Sequence, residues 1–432
     1  MSGKKLSTHD ELQQLQAETF RYFLKEVNPQ NGLIKDKTAE NWPSSITATG
    51  FALAAYPVAV ERGFMSRSLA IERTLTTLRF FWNSPQGTEP NATGYKGFYY
   101  HFLDMNTGQR VWRCELSTVD TTFLIAGMLT AGLYFDGNTR EEQEIRTLSD
   151  ALYRRVDWQW AQNNCDTVTQ GWTPETGFQD FRWEGYDEGL LLYMLGLGSP
   201  THPLPESSYA AWAAKYRWEN IYGYEYLYAG PLFIHQLSHM WIDFRNIQDA
   251  VMREKNMDYF ENSRRATYVQ QQYAMLNPKG FIGYSSCCWG VTASDGPGEM
   301  TLTVNNVERQ FYDYLGRGVP YGPDDGTIAP WAALASLPFA PEIVLGVLDH
   351  YVYTLDLKQG HHYGFKSSFN QTYPEKGKCG YWIAPYHFGL NLGPIILMAE
   401  NYRTEFLWNL MKKCPYLVTG LRRAGFTGGW LD

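Results

Sequence analysis

The sequence has few charged residues and no cluster of basic ones. Asp, Glu, Lys and Arg make up only 19% of the 432 residues, and the formal net charge is −8. Nucleic acids and anionic membranes attract clustered Lys and Arg, so this composition argues against both as partners. The 44% of apolar residues instead predicts a globular protein with a large core, and the charge favours a neutral or cationic ligand.

Long apolar runs are also missing. No stretch approaches the roughly 20 residues of a membrane span. The N-terminal sequence MSGKKLSTHDELQQLQAETF lacks the apolar segment of a secretory signal, which predicts a cytoplasmic protein, or a periplasmic one if a leader has been removed. No linker divides the chain, so we expect one domain over residues 1–432 and a monomer.

The six cysteines show neither C-x-x-C pairs nor a regular spacing. In a chain of this length we expect mostly buried free thiols and no disulfide framework. They are Cys114, Cys165, Cys287, Cys288, Cys379 and Cys414. Dinucleotide, P-loop and serine-hydrolase motifs are absent as well, so we expect no cofactor.

Aromatic residues are abundant, with 15 Trp, 30 Tyr and 23 Phe. Most such rings fill protein cores, but rings in polar loops also stack on sugars. Several stand in glycine-rich stretches that predict loops, so we expect a groove lined by Trp172, Trp183, Trp289, Trp382 and the run Tyr95, Phe98, Tyr99 and Tyr100.

Helical periodicity recurs along the whole chain, whereas strand-like alternation is short and local. Examples are LQQLQAETFRYFLKEV, ITATGFALAAYPVAVERG, VDTTFLIAGMLTAGLYF, WIDFRNIQDAVMREK and ATYVQQQYAMLN. About a dozen helices leave about 36 residues for each helix with its loop. This spacing predicts an all-α fold, an (α/α)6 toroid whose long aromatic-rich loops form a cleft on one face. A helical-repeat solenoid is the competing architecture, but no fixed-period repeat occurs.

Carboxylates gather at two predicted helix starts. In RCELSTVDTTFLIAGML, Glu115 and Asp120 flank the helix start, where an acid can also simply complement the helix dipole. In RWEGYDEGLLLYMLGLGSP, capping explains one of Glu184, Asp187 and Glu188, not all three. Glu188 meets the apolar run, so we expect poor solvation to raise its pKa and keep it protonated near neutral pH.

Two carboxyl groups flanked by sugar-stacking rings are the minimum needed to cleave a glycosidic bond. Asp180, Asp295, Asp324 and Asp325 are further candidates, although Asp-Gly pairs are more often plain turns. His235 and His239 have an i, i+4 spacing but lack the Glu of H-E-x-x-H and a third ligand. We therefore expect no metal there and favour hydrogen bonding to substrate or core.

Several long segments in one order resemble a known family. They are YDEGLLLYMLGLGSPTHPLPES, HQLSHMWIDFRNIQDAVMREKNMDYFENSRRAT, WGVTASDGP, DDGTIAPWAALASLPFAPE and GPIILMAENYRTEFLWNLMKKCP, within a likeness that spans residues 10–428. The chain resembles the glycoamylase-like family of bacterial glycoside hydrolases, which includes endo-β-1,2-glucanases. The resemblance implies an (α/α)6 barrel with an acidic cleft and inverting, metal-free hydrolysis of β-1,2-glucan to sophoro-oligosaccharides.

The resemblance also implies roles for individual residues. Glu188 matches the expected proton donor, and Asp120 and Glu115 match acidic cleft positions. Where the family commonly reads Asp-Gln-Gly-Pro, this chain reads NLGP, so Asn391 replaces an expected acid. The base is then Asp120, Glu115 or Asp295, in that order of preference, or a relay activates the water, or the protein does not hydrolyse. The expected substrate-binding residues are Asp187, Trp183, His235, His239, Trp289, Asp295, Asp325, Tyr381, Trp382 and Asn391.

The resulting hypothesis is an endo-acting, inverting β-1,2-glucanase. One alternative is an exo-acting sophorose-releasing hydrolase or a transglycosylase. Another is a phosphorylase, for which Arg264 and Arg265 are the candidate phosphate ligands. The third is a non-catalytic glucan-binding protein, which the Asn391 replacement suggests.

Overall fold

A computed structural model describes residues 5–375 and 380–432 of the chain. These residues form fourteen α-helices, which confirms the prediction of a helix-rich fold. The helices are α1 (Thr8–Lys25), α2 (Ile46–Glu61), α3 (Arg67–Asn83), α4 (Thr118–Tyr134), α5 (Arg140–Arg155), α6 (Leu190–Leu197), α7 (Glu206–Ala213), α8 (Ala250–Glu254), α9 (Tyr259–Leu276), α10 (Pro330–Leu334), α11 (Pro341–Asp349), α12 (Gly389–Thr404), α13 (Phe406–Met411) and α14 (Pro415–Arg423).

Short strands in the loops of the described residues form six small antiparallel sheets. The strands are β1 (Ser44–Ser45), β2 (Gly94–Tyr95), β3 (Phe98–Tyr100), β4 (Phe102–Leu103), β5 (Leu116–Ser117), β6 (Gly171–Thr173), β7 (Gly177–Phe178), β8 (Trp218–Ile221), β9 (Tyr224–Leu227), β10 (Ala293–Ser294), β11 (Met300–Val304), β12 (Val307–Phe311), β13 (Leu315–Gly316), β14 (Phe369–Pro374) and β15 (Tyr381–Ile383). The largest sheet has the order β2-β3-β5-β6-β7. The helix-rich fold therefore also contains local strands, as the short alternating patterns indicated.

Five helices are buried on nearly all sides. They are α2, α4, α6, α10 and α12, and a helix that is apolar all round belongs in a core. They pack on one another in the order α10, α12, α2, α4 and α6. Around them, α1 packs on α12, α5 on α4, and α14 on α6. None of the helices in the described ranges is long and apolar enough to cross a membrane.

In two segments the helices are shorter than the apolar periodicity of the sequence indicates. In segment 241–255 only Ala250–Glu254 is α-helical, because Asp249 caps that helix by accepting a hydrogen bond from the Met252 N–H. Segment 392–414 forms two helices, since Glu405 adopts a left-handed φ of 57° and ends α12. Local capping and backbone conformation therefore override the apolar periodicity at both places.

The cysteines are less buried than expected. Cys288 and Cys414 are buried, Cys114 and Cys287 are partly buried, and Cys165 is exposed. All five are free thiols. Cys379 lies outside the described residues.

Strand pairing brings the starts of α2 and α4 together. Strand β1, which leads into α2, pairs with β4, and β5, which leads into α4, pairs with β3. His101 lies between β3 and β4, where its backbone C=O accepts from the Ile46 N–H at 3.2 Å and its N–H donates to Glu115 O at 3.0 Å. The positive ends of two helix dipoles thus meet beside the acidic residues of this region.

Candidate active site

Carboxyl groups from four separate segments surround one tyrosine. Asp120 is in the first turn of α4, Glu188 precedes α6, Asp36 lies in the loop before β1, and Asp295 follows β10. Poor hydration raises the pKa of the Tyr314 hydroxyl well above its usual value, and these four carboxylates raise it further. Because 59% of the Tyr314 surface is exposed, the region that these acids share is open to solvent at this ring.

His101 forms a cationic bridge between two acids. Its Nδ1 lies 2.8 Å from Glu115 Oε1, and its Nε2 lies 3.5 Å from Asp120 Oδ1. Burial alone would lower the pKa of His101, but the two carboxylates outweigh burial and raise the pKa to about 9. The ring also stacks on Phe102, with 4.0 Å between centroids. His101 is therefore an imidazolium at neutral pH, held in a fixed orientation.

Hydroxyl donors from two segments hold the Asp120 carboxylate. Thr47 of α2 donates to Oδ1 and Ser117 donates to Oδ2, both at 2.5 Å. The Ser117 hydroxyl also caps α4 by accepting the Asp120 N–H at 3.2 Å. The Asp120 side chain remains 14% exposed, so an ordered carboxylate still reaches the cleft.

Glu188 is partly buried where the polar loop meets α6. Loss of hydration raises its pKa to about 8, the negative charges of Asp120 and Asp187 add to this effect, and His101 opposes it. The carboxyl group is therefore mostly protonated at neutral pH, which matches the expectation from the sequence. A protonated carboxyl group near an ionised one is a pair that can donate and accept protons.

Asp187 fixes the turn that presents Glu188. Its Oδ1 accepts hydrogen bonds from the Gly189 N–H at 2.9 Å and the Trp212 Nε1–H at 3.0 Å. Burial raises the pKa of Asp187 to about 7. Glu184 is exposed and accepts a hydrogen bond from Thr167. The three acids before α6 thus have different environments.

Lys37 brings a second cation to the cleft. Its Nζ lies 3.6 Å from Asp295 Oδ2 and above the rings of Trp42, Tyr386 and Phe388, at 4.2, 5.3 and 4.8 Å from their centroids. The neighbouring Asp36 accepts a hydrogen bond from Trp42 Nε1 at 2.9 Å, and burial raises the pKa of Asp36 to about 6. This segment balances part of the negative charge of the cleft.

Asn391 is in the first turn of α12, beside the Asp36 segment. The Gly389 N–H at the start of α12 donates to Asp36 O at 2.9 Å. Asn391 itself is only 6% exposed. The position at which an acid was expected therefore borders the same acidic region, with little accessible surface.

Four predicted substrate-binding residues lie in the core. His235, His239, Trp289 and Asp325 are each 1% exposed. Burial lowers the pKa of His235 to about 4 and of His239 to about 3, so both imidazoles are neutral. Side chains with so little surface have no room to contact a sugar, so these four residues pack in the core.

Three of the four rings of the aromatic run fill the core and do not line a groove, whereas Tyr95 is partly buried. Phe98, Tyr99 and Tyr100 of β3 are fully buried beneath the loops. Trp183 is 8% exposed, and its Nε1–H donates to Thr118 Oγ1 at 2.9 Å, which ties the loop before α6 to the first residue of α4. On β15, Tyr381 is partly buried and Trp382 is 9% exposed.

Other predicted acids lie apart from this arrangement. Asp180 is exposed, whereas Asp324 is buried and accepts hydrogen bonds from Tyr273 and Tyr284 at 2.9 and 2.7 Å. Arg264 and Arg265 both pair with Glu261 on α9.

One group of ligand-type side chains in the described ranges is compact enough to hold a cation. It consists of His101, Glu115 and Asp120, whose ligand atoms lie within 4.8 Å of one another. The high pKa of His101 means that a proton already occupies the imidazole at neutral pH, while a metal needs its free lone pair. A metal ion would therefore have to displace this proton in order to bind here.

Four residues of this region carry no signal strong enough to predict them from the sequence: His101, Asp36, Lys37 and Tyr314. These residues come from three separate loops and belong to no spaced motif. A weak signal exists for His101, which directly follows an aromatic run and precedes Glu115 by fourteen residues. Asp36, Lys37 and Tyr314 come near the other acids only in the folded structure.

Comparison with known proteins identifies relatives along the whole chain. A family model named Glycoamylase, described as "Putative glucoamylase", matches residues 180–415, more than half of the chain. A solved structure of a "putative glucoamylase" from Bacteroides uniformis is 32% identical, covers 100% of both chains and superposes with a TM-score of 0.88. An endo-β-1,2-glucanase from Chitinophaga pinensis, solved with sophorotriose and glucose, is 26% identical, with a TM-score of 0.86 over 99% of this chain and 100% of that one.

A curated relative differs in length. It is an exo β-1,2-glucooligosaccharide sophorohydrolase (non-reducing end) from Parabacteroides distasonis, 29% identical over 95% of this chain. The chain spans 57% of the length of that relative.

Proposed function

This chain belongs to the Glycoamylase family, and from that premise we propose that it is a glycoside hydrolase that cleaves β-1,2-glucan. The observation that carries the proposal is that Glu188, whose pKa is raised to about 8 by loss of hydration, lies near the hydrogen-bonded side chain of Asp120. Hydrolysis of a glycosidic bond needs one carboxylic acid and one carboxylate. The named activities of the sophorohydrolase and the endo-β-1,2-glucanase support β-1,2-glucan as the substrate class.

Glu188 is the general acid of the proposed reaction. Its pKa of about 8 keeps a proton on the carboxyl group at neutral pH. The acid gives this proton to the glycosidic oxygen as the bond to the anomeric carbon breaks, so the leaving sugar departs as a neutral alcohol. Asp187 orients the acid through its hydrogen bonds to the turn before α6.

Asp120 is the general base that we favour. It takes a proton from a water molecule whose oxygen attacks the anomeric carbon from the opposite face, which inverts the configuration. Thr47 and Ser117 fix its two oxygens, and the His101 imidazolium offsets its charge. Glu115 and Asp295 are the alternative bases, because each also carries a carboxylate in the same region. Inversion places the two carboxyl groups roughly 6.5 to 9.5 Å apart.

Endo-acting cleavage is the first candidate, supported by the named activity of the Chitinophaga pinensis endo-β-1,2-glucanase, which matches this chain over 99% of its length. Exo-acting release of sophorose is the second candidate, favoured by the 29% identity to the sophorohydrolase. The two differ in their products, since an endo enzyme gives a range of chain lengths and the exo enzyme gives one disaccharide.

The (α/α)6 toroid and the single domain are part of the same proposal. The buried series α10, α12, α2, α4 and α6 supplies consecutive inner helices, and α1, α5 and α14 supply outer partners. Under this arrangement the N-termini of α2, α4, α6 and α12 point to the face that carries the acids.

Incubation of the protein with linear β-1,2-glucan, followed by chromatography of the products, tests this function. We expect sophoro-oligosaccharides of several lengths, and Glu188→Gln should reduce the rate by about 10²- to 10⁴-fold. Asp120→Asn should cause a loss of the same order, whereas an unchanged rate would move the base to Glu115 or Asp295. Sophorose alone would favour the exo reaction. Intact glucan, with the folded protein confirmed by circular dichroism, would refute hydrolysis.

A further inference from the structure

A second cavity lies beside the acidic cleft. Its volume is about 440 Å³, and the indole rings of Trp42 and Trp112 form part of its wall. Polar side chains complete the wall, among them Lys25, Lys35, Asn41 and Asp104. Small-ligand sites commonly have volumes of roughly 300–1,000 Å³ and combine aromatic surfaces with a few polar groups.

Trp112 is the most exposed tryptophan among the described residues. Its exposed fraction is 58%, and its centroid lies 4.9 Å from that of Trp42 and 5.2 Å from that of Phe102. Trp112 and Arg113 have φ values of 55° and 50°, in the left-handed region that bulky residues seldom adopt. Unfavourable backbone conformations of this kind persist where surrounding contacts enforce them, commonly at ligand sites.

Arg110 enforces the conformation of the Trp112 loop. Its Nε donates to Cys114 O and its Nη2 to Arg113 O, both at 2.6 Å. An ion pair with Glu175 at 2.8 Å anchors the guanidinium, whose side chain is only 2% exposed. The exposed indole therefore belongs to a loop whose backbone is fixed by hydrogen bonds from the buried Arg110 side chain.

The Trp42–Trp112 cavity adjoins the acidic cleft directly. The Trp42 Nε1–H donates to Asp36, and the Trp42 ring lies 4.2 Å from Lys37 Nζ. On the other side, Phe102 contacts Trp112 and stacks on His101. A chain that passes the catalytic carboxyl groups can thus continue along one aromatic wall into the cavity.

We propose that the Trp42–Trp112 cavity is an additional subsite that binds glucose units of a β-1,2-glucan chain, an inference that rests on the function proposed above. The apolar face of a pyranose ring packs on an indole, and the surrounding polar side chains hydrogen-bond its hydroxyl groups. Both lysines and acids line the cavity, so its charges favour a neutral, hydroxyl-rich ligand over an anion or a cation.

Isothermal titration calorimetry with β-1,2-glucans of defined length tests the subsite, with Glu188→Gln as the parent protein so that the ligands stay intact. The ratio of the affinity for a long chain to the affinity for sophorotriose is compared in the parent and in the parent with Trp112→Ala. Loss of one stacking surface should lower this ratio about five- to tenfold. Trp112→Phe, which keeps a smaller ring, should give an intermediate ratio.

Trp82→Ala is the matched control, because Trp82 is also exposed, at 41%, and lies on α3 outside the cavity wall. It should leave the ratio unchanged. An unchanged ratio in Trp112→Ala, an equal loss for both lengths, or a parent that binds long and short chains equally would overturn the subsite. If length-dependent binding through Trp112 is found while the wild-type protein cleaves no glucan, the proposed hydrolysis fails and the subsite stands.

Discussion

The backbone of Gly50 in α2 touches the backbone of Gly127 in α4. A Cβ atom on Gly127 would overlap the carbonyl oxygen of Gly50, and a Cβ on Gly50 would lie 2.5 Å from Phe123 O. The two glycines let these buried helices approach closely. The same helices carry Thr47 and Asp120, which share a hydrogen bond at their N-terminal ends. Helix packing therefore sets the position of the proposed base.

Gly50→Ala should push α2 and α4 apart. Forcing an extra methyl group into a packed core commonly costs about 1–3 kcal/mol, and we expect the free energy of unfolding to fall by that amount. The displaced Thr47 should also lower kcat on β-1,2-glucan. Urea denaturation and steady-state kinetics measure the two effects. Gly346→Ala in α11 is the control, because its Cβ would meet Cys287 Sγ at an ordinary 3.6 Å and Ala favours a helix. Equal stabilities of the two variants would contradict the packing argument.

The proposed acid predicts an alkaline limit for activity. Glu188 must be protonated to act, and its pKa of about 8 means that kcat/KM should fall about tenfold per pH unit above that value. His101 also titrates, at about 9, so His101→Gln is a necessary comparison. This variant should be less active at every pH, and its alkaline limb should move to a higher pH, because the His101 cation lowers the pKa of Glu188. A wild-type kcat/KM that stays constant to pH 9 would remove Glu188 as the acid.

The same group predicts how stability changes with pH. The folded state holds the Glu188 proton up to about pH 8, whereas an unfolded Glu releases it near 4.5. This contribution to stability is therefore complete below the unfolded pKa and is lost as the pH rises through the folded one. His101, raised to about 9, and Asp187, raised to about 7, act in the same direction. His235 and His239 have lowered pKa values and act oppositely, but only below about 6.5.

Glu188→Gln should consequently be more stable than the wild type at pH 8.5, with a smaller difference at pH 5. Each unit of pKa difference corresponds to about 1.4 kcal/mol. Urea denaturation of both proteins at the two pH values measures the change. A variant that loses stability between pH 5 and 8.5 as steeply as the wild type would indicate an ordinary pKa for Glu188.

The sequence predicted the helix-rich fold and the unusual environment of Glu188, because both follow from local patterns. Apolar residues on all sides of α2, α4 and α6 indicate buried helices, and an acid next to such a run loses hydration. The sequence did not predict that His101 would bridge Glu115 and Asp120, because strand pairing between distant loops creates that contact. For the same reason, ring type and loop context could not separate the buried Trp289 from the exposed Trp112.

The ion pair between Asp325 and Arg317 is expected to stabilise the backbone segments that carry Asp295 and Tyr314. Both side chains are fully buried, and Arg317 Nε lies 2.8 Å from Asp325 Oδ1. The guanidinium also donates to the carbonyls of Ser294 and Asp313, which immediately precede Asp295 and Tyr314.

Breaking a buried pair by removing one charge commonly costs about 3–5 kcal/mol, because the remaining ion is left without compensation. Asp325→Asn should lower the free energy of unfolding by that order, and the loosened Asp295 and Tyr314 should raise KM for long glucans. The surface pair of Arg79 and Glu144, which has a similar contact distance of 2.7 Å, is the control, since Glu144→Gln should cost about 1 kcal/mol or less. If urea denaturation gives similar losses for both variants, the buried pair of Asp325 and Arg317 does not stabilise the fold more than a surface pair does.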